Sequence, residues 1–144
     1  MHPSMTNIGA YLRTKGASNT VQGYSPEALA AGTTYGDAFD VTDARSCVLT
    51  GQLGAATGTP TTQSVVLSLE SALPSGSDWV AVADSTITLD TDETSKEVDV
   101  NLMGLTSGHT RLRVKAVVSF TGGTSPKALV AACVPLAGFA RLPA

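Results

Sequence analysis

Charge is scarce in this chain: only 15% of its 144 residues are Asp, Glu, Lys or Arg. A basic surplus is missing as well, since nine Lys and Arg face twelve Asp and Glu for a net charge of −3. Nucleic-acid binders carry a basic stripe that neutralises phosphates, so that partner class is disfavoured and none is expected. Only two histidines and two cysteines occur. His2, His109, Cys47 and Cys133 are too scattered for the converging ligands of a metal centre, and no cofactor is expected. Long apolar runs are absent too. The longest, Ala128–Ala140, is interrupted by Pro135 and Gly138 and falls short of the roughly 20 residues of a membrane span. No charged segment followed by an apolar one opens the chain, so no secretory signal is visible. A soluble protein made in the cytoplasm, with reduced thiols, is the expectation. Cys47 and Cys133 read as two buried thiols, with a disulfide joining two sheets as the alternative.

What the chain does have is 42% hydrophobic residues among many Thr, Ser and Gly. That hydrophobicity with so little charge is unlike a disordered chain. Thr suits a pleated surface, and Gly and Ser suit tight connections, so the balance favours β structure. The clearest strands are Lys96–Leu102 and Thr110–Phe120. The first sets Val98, Val100 and Leu102 against Glu97, Asp99 and Asn101. The second sets Leu112, Val114, Ala116, Val118 and Phe120 against Arg111, Arg113 and Lys115. Such period-two alternation marks antiparallel strands with one face on a core and one in water. Shorter strand signals cover Asp37–Thr42, Arg45–Leu53, Gln63–Ser71, Asp78–Ala83 and Thr86–Leu89, with turn residues between them. The last strand, Lys127–Leu136, is apolar on both faces and reads as central or covered. The whole predicts an all-β, antiparallel β-sandwich of jelly-roll-like type with about eight strands. No βαβ spacing occurs, which excludes a parallel sheet.

The sandwich is expected to span 36–144, preceded by an extended arm over 1–35. The arm holds three charged side chains, Arg13, Lys15 and Glu27. Its one helical signal, Ser25-Pro26-Glu27 before Ala28-Leu29-Ala30-Ala31-Gly32, predicts a short helix near 26–31. All three tyrosines, Tyr11, Tyr24 and Tyr35, lie in the arm, whereas Trp79 lies in the body. Tyrosine offers an apolar ring with a polar tip, which suits a surface buried against another protein. Ordering an arm of this length costs about 1.5 kcal/mol per residue, so it is ordered only where it docks. Tyr11, Arg13, Lys15, Tyr24, Tyr35 and Trp79 are therefore the candidate interface residues.

Catalytic patterns are not found. His109 stands in a Ser107-Gly108-His109-Thr110 turn, read as solvent-exposed, with no nucleophile context such as GxSxG. The loop Gly54–Thr62 lacks the lysine of a phosphate-binding loop. The acidic group Asp84, Asp90, Asp92, Glu93, Glu97 and Asp99 lacks the spacing of an EF-hand and reads as a solvated turn beside a protected edge strand. Arg111, Arg113 and Lys115 are expected opposite it on a neighbouring strand, in structural pairs.

Several stretches of the body resemble small virion proteins of tailed bacteriophages. They are Gly58-Thr59-Pro60, the run Gln63-Ser64-Val65-Val66-Leu67-Ser68-Leu69-Glu70-Ser71, and Ser75-Gly76-Ser77-Asp78-Trp79. Thr110-Arg111-Leu112-Arg113-Val114 and Gly123-Thr124-Ser125-Pro126 continue the likeness toward the last strand. It covers roughly 37–138. Thr110 and Leu112 depart from it, flanking a place where the family often carries an aromatic. The resemblance implies a non-enzymatic capsid decoration, or cement, protein. Such a protein sits on the outer capsid surface of the virion, binds the major capsid protein, bridges neighbouring subunits and pairs with itself as a homodimer or homotrimer. A head–tail completion or tail component, or a carbohydrate-binding adhesin using Trp79, is the alternative.

Overall fold

In a computed structural model, residues 22–138 are described. Eleven strands follow one another: β1 (Gln22–Leu29), β2 (Gly32–Tyr35), β3 (Phe39–Asp40), β4 (Ser46–Leu53), β5 (Thr62–Ala72), β6 (Val80–Ala81), β7 (Ile87–Leu89), β8 (Thr94–Asn101), β9 (Arg111–Thr121), β10 (Ala128–Cys133) and β11 (Leu136–Ala137). A single 3₁₀ turn, Leu102–Gly104, joins β8 to β9. Every pairing is antiparallel. In sheet A, β10 lies between β1 and β4, β11 also pairs with β4, and β8 lies on the far side of β4. Sheet B has β9 and β5 at its centre, with β2 and β3 beside β9 and β6 and β7 beside β5.

The core lies between the sheets and follows the sequence alternation. Cys47, Leu49 and Leu53 of β4 and Val130 and Ala132 of β10 face Val65, Leu67 and Leu69 of β5 and Leu112, Val114, Ala116 and Val118 of β9. Each is less than a tenth exposed, so the two alternating faces remove nearly all of this aliphatic surface from water. At Gly51 of β4, side chains of the opposite layer pack directly against the backbone. A Cβ there would collide with Leu67 and lie 2.8 Å from Ile87 Cδ1, so the position admits no side chain without displacing the opposite layer.

All eight expected strands occur, the last split into β10 and β11. The helix expected near 26–31 does not: β1 occupies Gln22–Leu29, and Leu29 is buried. Pairing with β10 gives the segment a hydrogen-bonded partner and a core position, which outweighs a two-turn helix with favourable caps. Register shifts between Gln22 and Tyr24 and between Tyr24 and Glu27 accommodate Pro26, which has no N–H for a regular ladder. Gly32, at φ +139°, then carries the chain from sheet A into sheet B. Residues 22–35 are thus strands of the sandwich, and the remainder of the expected arm, 1–21, lies outside the described residues.

A second correction concerns charge. Acidic β8 pairs with β4 in sheet A, while basic β9 pairs with β5, β2 and β3 in sheet B. The 3₁₀ turn crosses between the layers, so the two charged strands are not neighbours.

Candidate functional site

On the outer face of sheet B, the odd-numbered residues of β9 project away from the core. Arg113 lies directly opposite Glu70 of β5, and Lys115 lies between Tyr35 of β2 and Ser68 of β5. Arg113 Nε and Nη2 donate to Glu70 Oε2 at 2.9 and 2.7 Å, and Lys115 Nζ stands 3.6 Å from Glu70 Oε1. The Glu70 side chain is only 10% exposed, so the two cations on β9, not water, balance its charge.

The two candidate residues whose side chains are described, Tyr35 and Trp79, meet over this pair. The Arg113 guanidinium lies 3.8 Å from the Tyr35 ring centroid and 4.2 Å from that of Trp79. Arg111 stands 5.1 Å from the same Trp79 ring and donates from Nη1 to Pro74 O at 2.9 Å. A planar cation between two aromatic rings gains quadrupole attraction on each face. β-Sheet register explains the convergence: Tyr35 is one rung along from Arg113, and Trp79 immediately precedes β6, which pairs with Glu70 and Ser71. Tyr35 stays 47% exposed, so the stack has an outward face. Trp79 is engaged by two guanidinium groups.

The loop bearing Trp79 is fastened from below. Ser71 Oγ lies 2.8 Å from His109 Nδ1, and Asp78 Oδ2 lies 3.5 Å from His109 Nε2. The His109 side chain is 4% exposed, so the solvent-exposed histidine expected from its turn is corrected to a buried one. A backbone bond from His109 N to Thr106 O closes that turn, and one from Thr110 N to Ala72 O draws it against β5. The three side chains have the composition of a hydrolytic triad, yet Ser71 is only 2% exposed and is closed to a substrate. The arrangement holds the loop.

Sheet A presents a different surface. Gln52, Leu53 and Gly54 of β4 and its end, Glu93, Thr94 and Ser95 around the start of β8, and Leu129, Val130 and Ala131 of β10 line an open groove of about 400 Å³. Leu129 is 51% exposed beside it. Gln63 Nε2 donates to Gly54 O at 3.2 Å and to Asp92, which fixes the groove's rim. Asp90, Glu93, Glu97 and Asp99 are exposed along this side, with Lys96 turned to Asp90 at 3.9 Å.

Tyr11, Arg13 and Lys15 lie outside the described residues, and Tyr24 is placed in β1 by its backbone alone. Cys47 faces the core, and Cys133, opposite Thr50 on β4, belongs to the other face of sheet A, so no disulfide joins them. Burial pushes the Cys47 thiol up to about 12. Among the described residues no cluster of three metal-ligating side chains occurs, and no helix is long and apolar enough to cross a membrane.

No protein-family model matches the chain, and no curated protein matches it by sequence. Solved structures do resemble it in fold. A chain in the structure of the Gx strain of infectious bursal disease virus matches with a TM-score of 0.52 and 15% identity. The match covers 85% of this chain and 32% of that one, so the present chain spans about a third of it. A chain of the T13 viral particle of the same virus aligns with a TM-score of 0.49 and 17% identity over 83% of this chain and 30% of that one. The SPBc2 prophage-derived protein YomS aligns with a TM-score of 0.44 and 14% identity over 82% of this chain and 91% of that one.

Proposed function

We propose that the protein is a non-enzymatic structural component of a phage virion, a decoration protein that binds the outer surface of the assembled capsid and bridges neighbouring subunits of the major capsid protein. The observation that carries this reading is the fold: an antiparallel sandwich sharing its architecture over 85% of its length with part of a chain from a virus structure. Two surface features support it. The Tyr35–Arg113–Trp79 stack is an aromatic and guanidinium cluster of the composition that anchors protein interfaces. The described surface is otherwise largely neutral or acidic, suited to many weak contacts repeated over a symmetric shell, where avidity multiplies modest affinities. Tyr11, Arg13, Lys15 and Tyr24 extend the interface, and the protein pairs with itself as a dimer or trimer. It is made in the host cytoplasm and is found on the particle.

Add-back to particles that lack the protein tests the reading. Purified full-length protein should cosediment with them, saturate at a stoichiometry proportional to the number of capsomers, and raise the temperature at which they release DNA. Saturation at one or a few copies per particle would assign it to the head–tail vertex instead, and no binding would refute the proposal.

A further inference from the structure

The groove on sheet A calls for an occupant, and the distribution of charge supplies one. All twelve carboxylate side chains of the chain lie within residues 22–138, whereas residues 1–21 carry Arg13 and Lys15 and no carboxylate side chain. The groove is apolar at Leu129 and Ala131 and acidic at Glu93, with Glu97 exposed farther along β8. In an extended segment Tyr11, Arg13 and Lys15 share one face, because side chains alternate with a period of two. One apolar ring followed by two cations matches one apolar patch followed by two carboxylates.

The direction of β1 favours a neighbour's segment over the molecule's own. β1 enters sheet A at the Cys133 end of β10 and runs toward Ala128, the groove end. A segment that held to the line of β1 before Gln22 would leave sheet A at the end remote from the groove, which favours the groove of a second copy. We propose that residues 1–21 of one copy seat in the sheet A groove of a second copy, with Tyr11 against Leu129 and with Arg13 and Lys15 against Glu93 and Glu97. This deepens the decoration reading by naming the contact through which copies link. It requires no capsid, so it can fail while the decoration reading stands.

The test uses the full chain in two isotopic forms, light and heavy, mixed, equilibrated and treated with a zero-length carbodiimide that joins lysine to a touching carboxylate. The expected products are Lys15–Glu93 and Lys15–Glu97 links, roughly half of them joining a light to a heavy copy. Leu129→Asp, at an exposed site, should weaken self-association by about tenfold or more in sedimentation, as loss of an interface anchor does, with an unchanged melting temperature. Arg13→Glu with Lys15→Glu should abolish the association. Links confined to single copies, links to other carboxylates only, or association unaffected by these variants would overturn the proposal.

Discussion

Glu70 illustrates what single residues do in this molecule. A carboxylate on the outer face of a sheet would ordinarily point into water, yet this side chain is 10% exposed, held under Arg113, which in turn lies against Tyr35 and Trp79. Removing its partner leaves a desolvated charge, which is costlier than the pair is favourable. Arg113→Ala should therefore destabilise the fold by about 2–4 kcal/mol, less whatever Lys115 recovers from 3.6 Å away. In the Glu70→Gln background the same substitution should cost clearly less, and urea denaturation of the four-member cycle reads the coupling; additive effects would contradict the burial argument. Cys47 gives a second residue-scale prediction. Its thiol is raised from the ordinary 9.0 to about 12 because burial disfavours the thiolate. The unfolded chain releases that proton first, so the contribution is intact below pH 9.0 and declines as pH rises toward 12, by about 1.4 kcal/mol per pH unit. Denaturation curves between pH 8 and 10.5 should show this decline in the native protein and a shallower one in Cys47→Ala.

At the scale of elements, the alternating strands were legible because a half-buried antiparallel strand writes its two faces into its sequence. Leu112, Val114, Ala116 and Val118 on β9 fell inward as their spacing required. β1 was not legible: Ser25-Pro26-Glu27 is a sound local helix start, and only β10, a hundred residues away, makes it a strand. Nor did spacing reveal which sheet each strand joins. The acidic and basic strands are consecutive, and their separation depends on the turn at Leu102–Gly104 crossing the layers. At the candidate site, Trp79 and Tyr35 could be singled out as interface-type side chains, but the arginine between them follows from register. His109 was misjudged because a glycine-containing turn looks exposed until Ser71 and Asp78 enclose it. Two element-scale outcomes follow. His109→Ala should leave the sandwich intact but speed hydrogen exchange across 73–79, the loop it fastens, and unchanged exchange there would show that the loop needs no such anchor. Gly51→Val should cost about 1–3 kcal/mol or more by overpacking, measured by thermal unfolding, since Leu67 and Ile87 already fill the space.

The whole molecule is a two-faced plate. Sheet B carries a braced aromatic and cationic cluster, and sheet A carries a groove with an acidic margin. Such a plate can contact one partner through each face, which is what a protein that ties subunits together requires, and the proposed exchange of residues 1–21 would join plates to one another. On the proposed function these plates form a regular outer layer on a capsid. Electron cryo-microscopy of particles produced with and without the protein tests it most directly. The account predicts difference density repeated over the shell at equivalent positions between capsid subunits, with two-layered plates of this size outside the capsid wall. Difference density at a single vertex, inside the shell, or nowhere on the particle would contradict it.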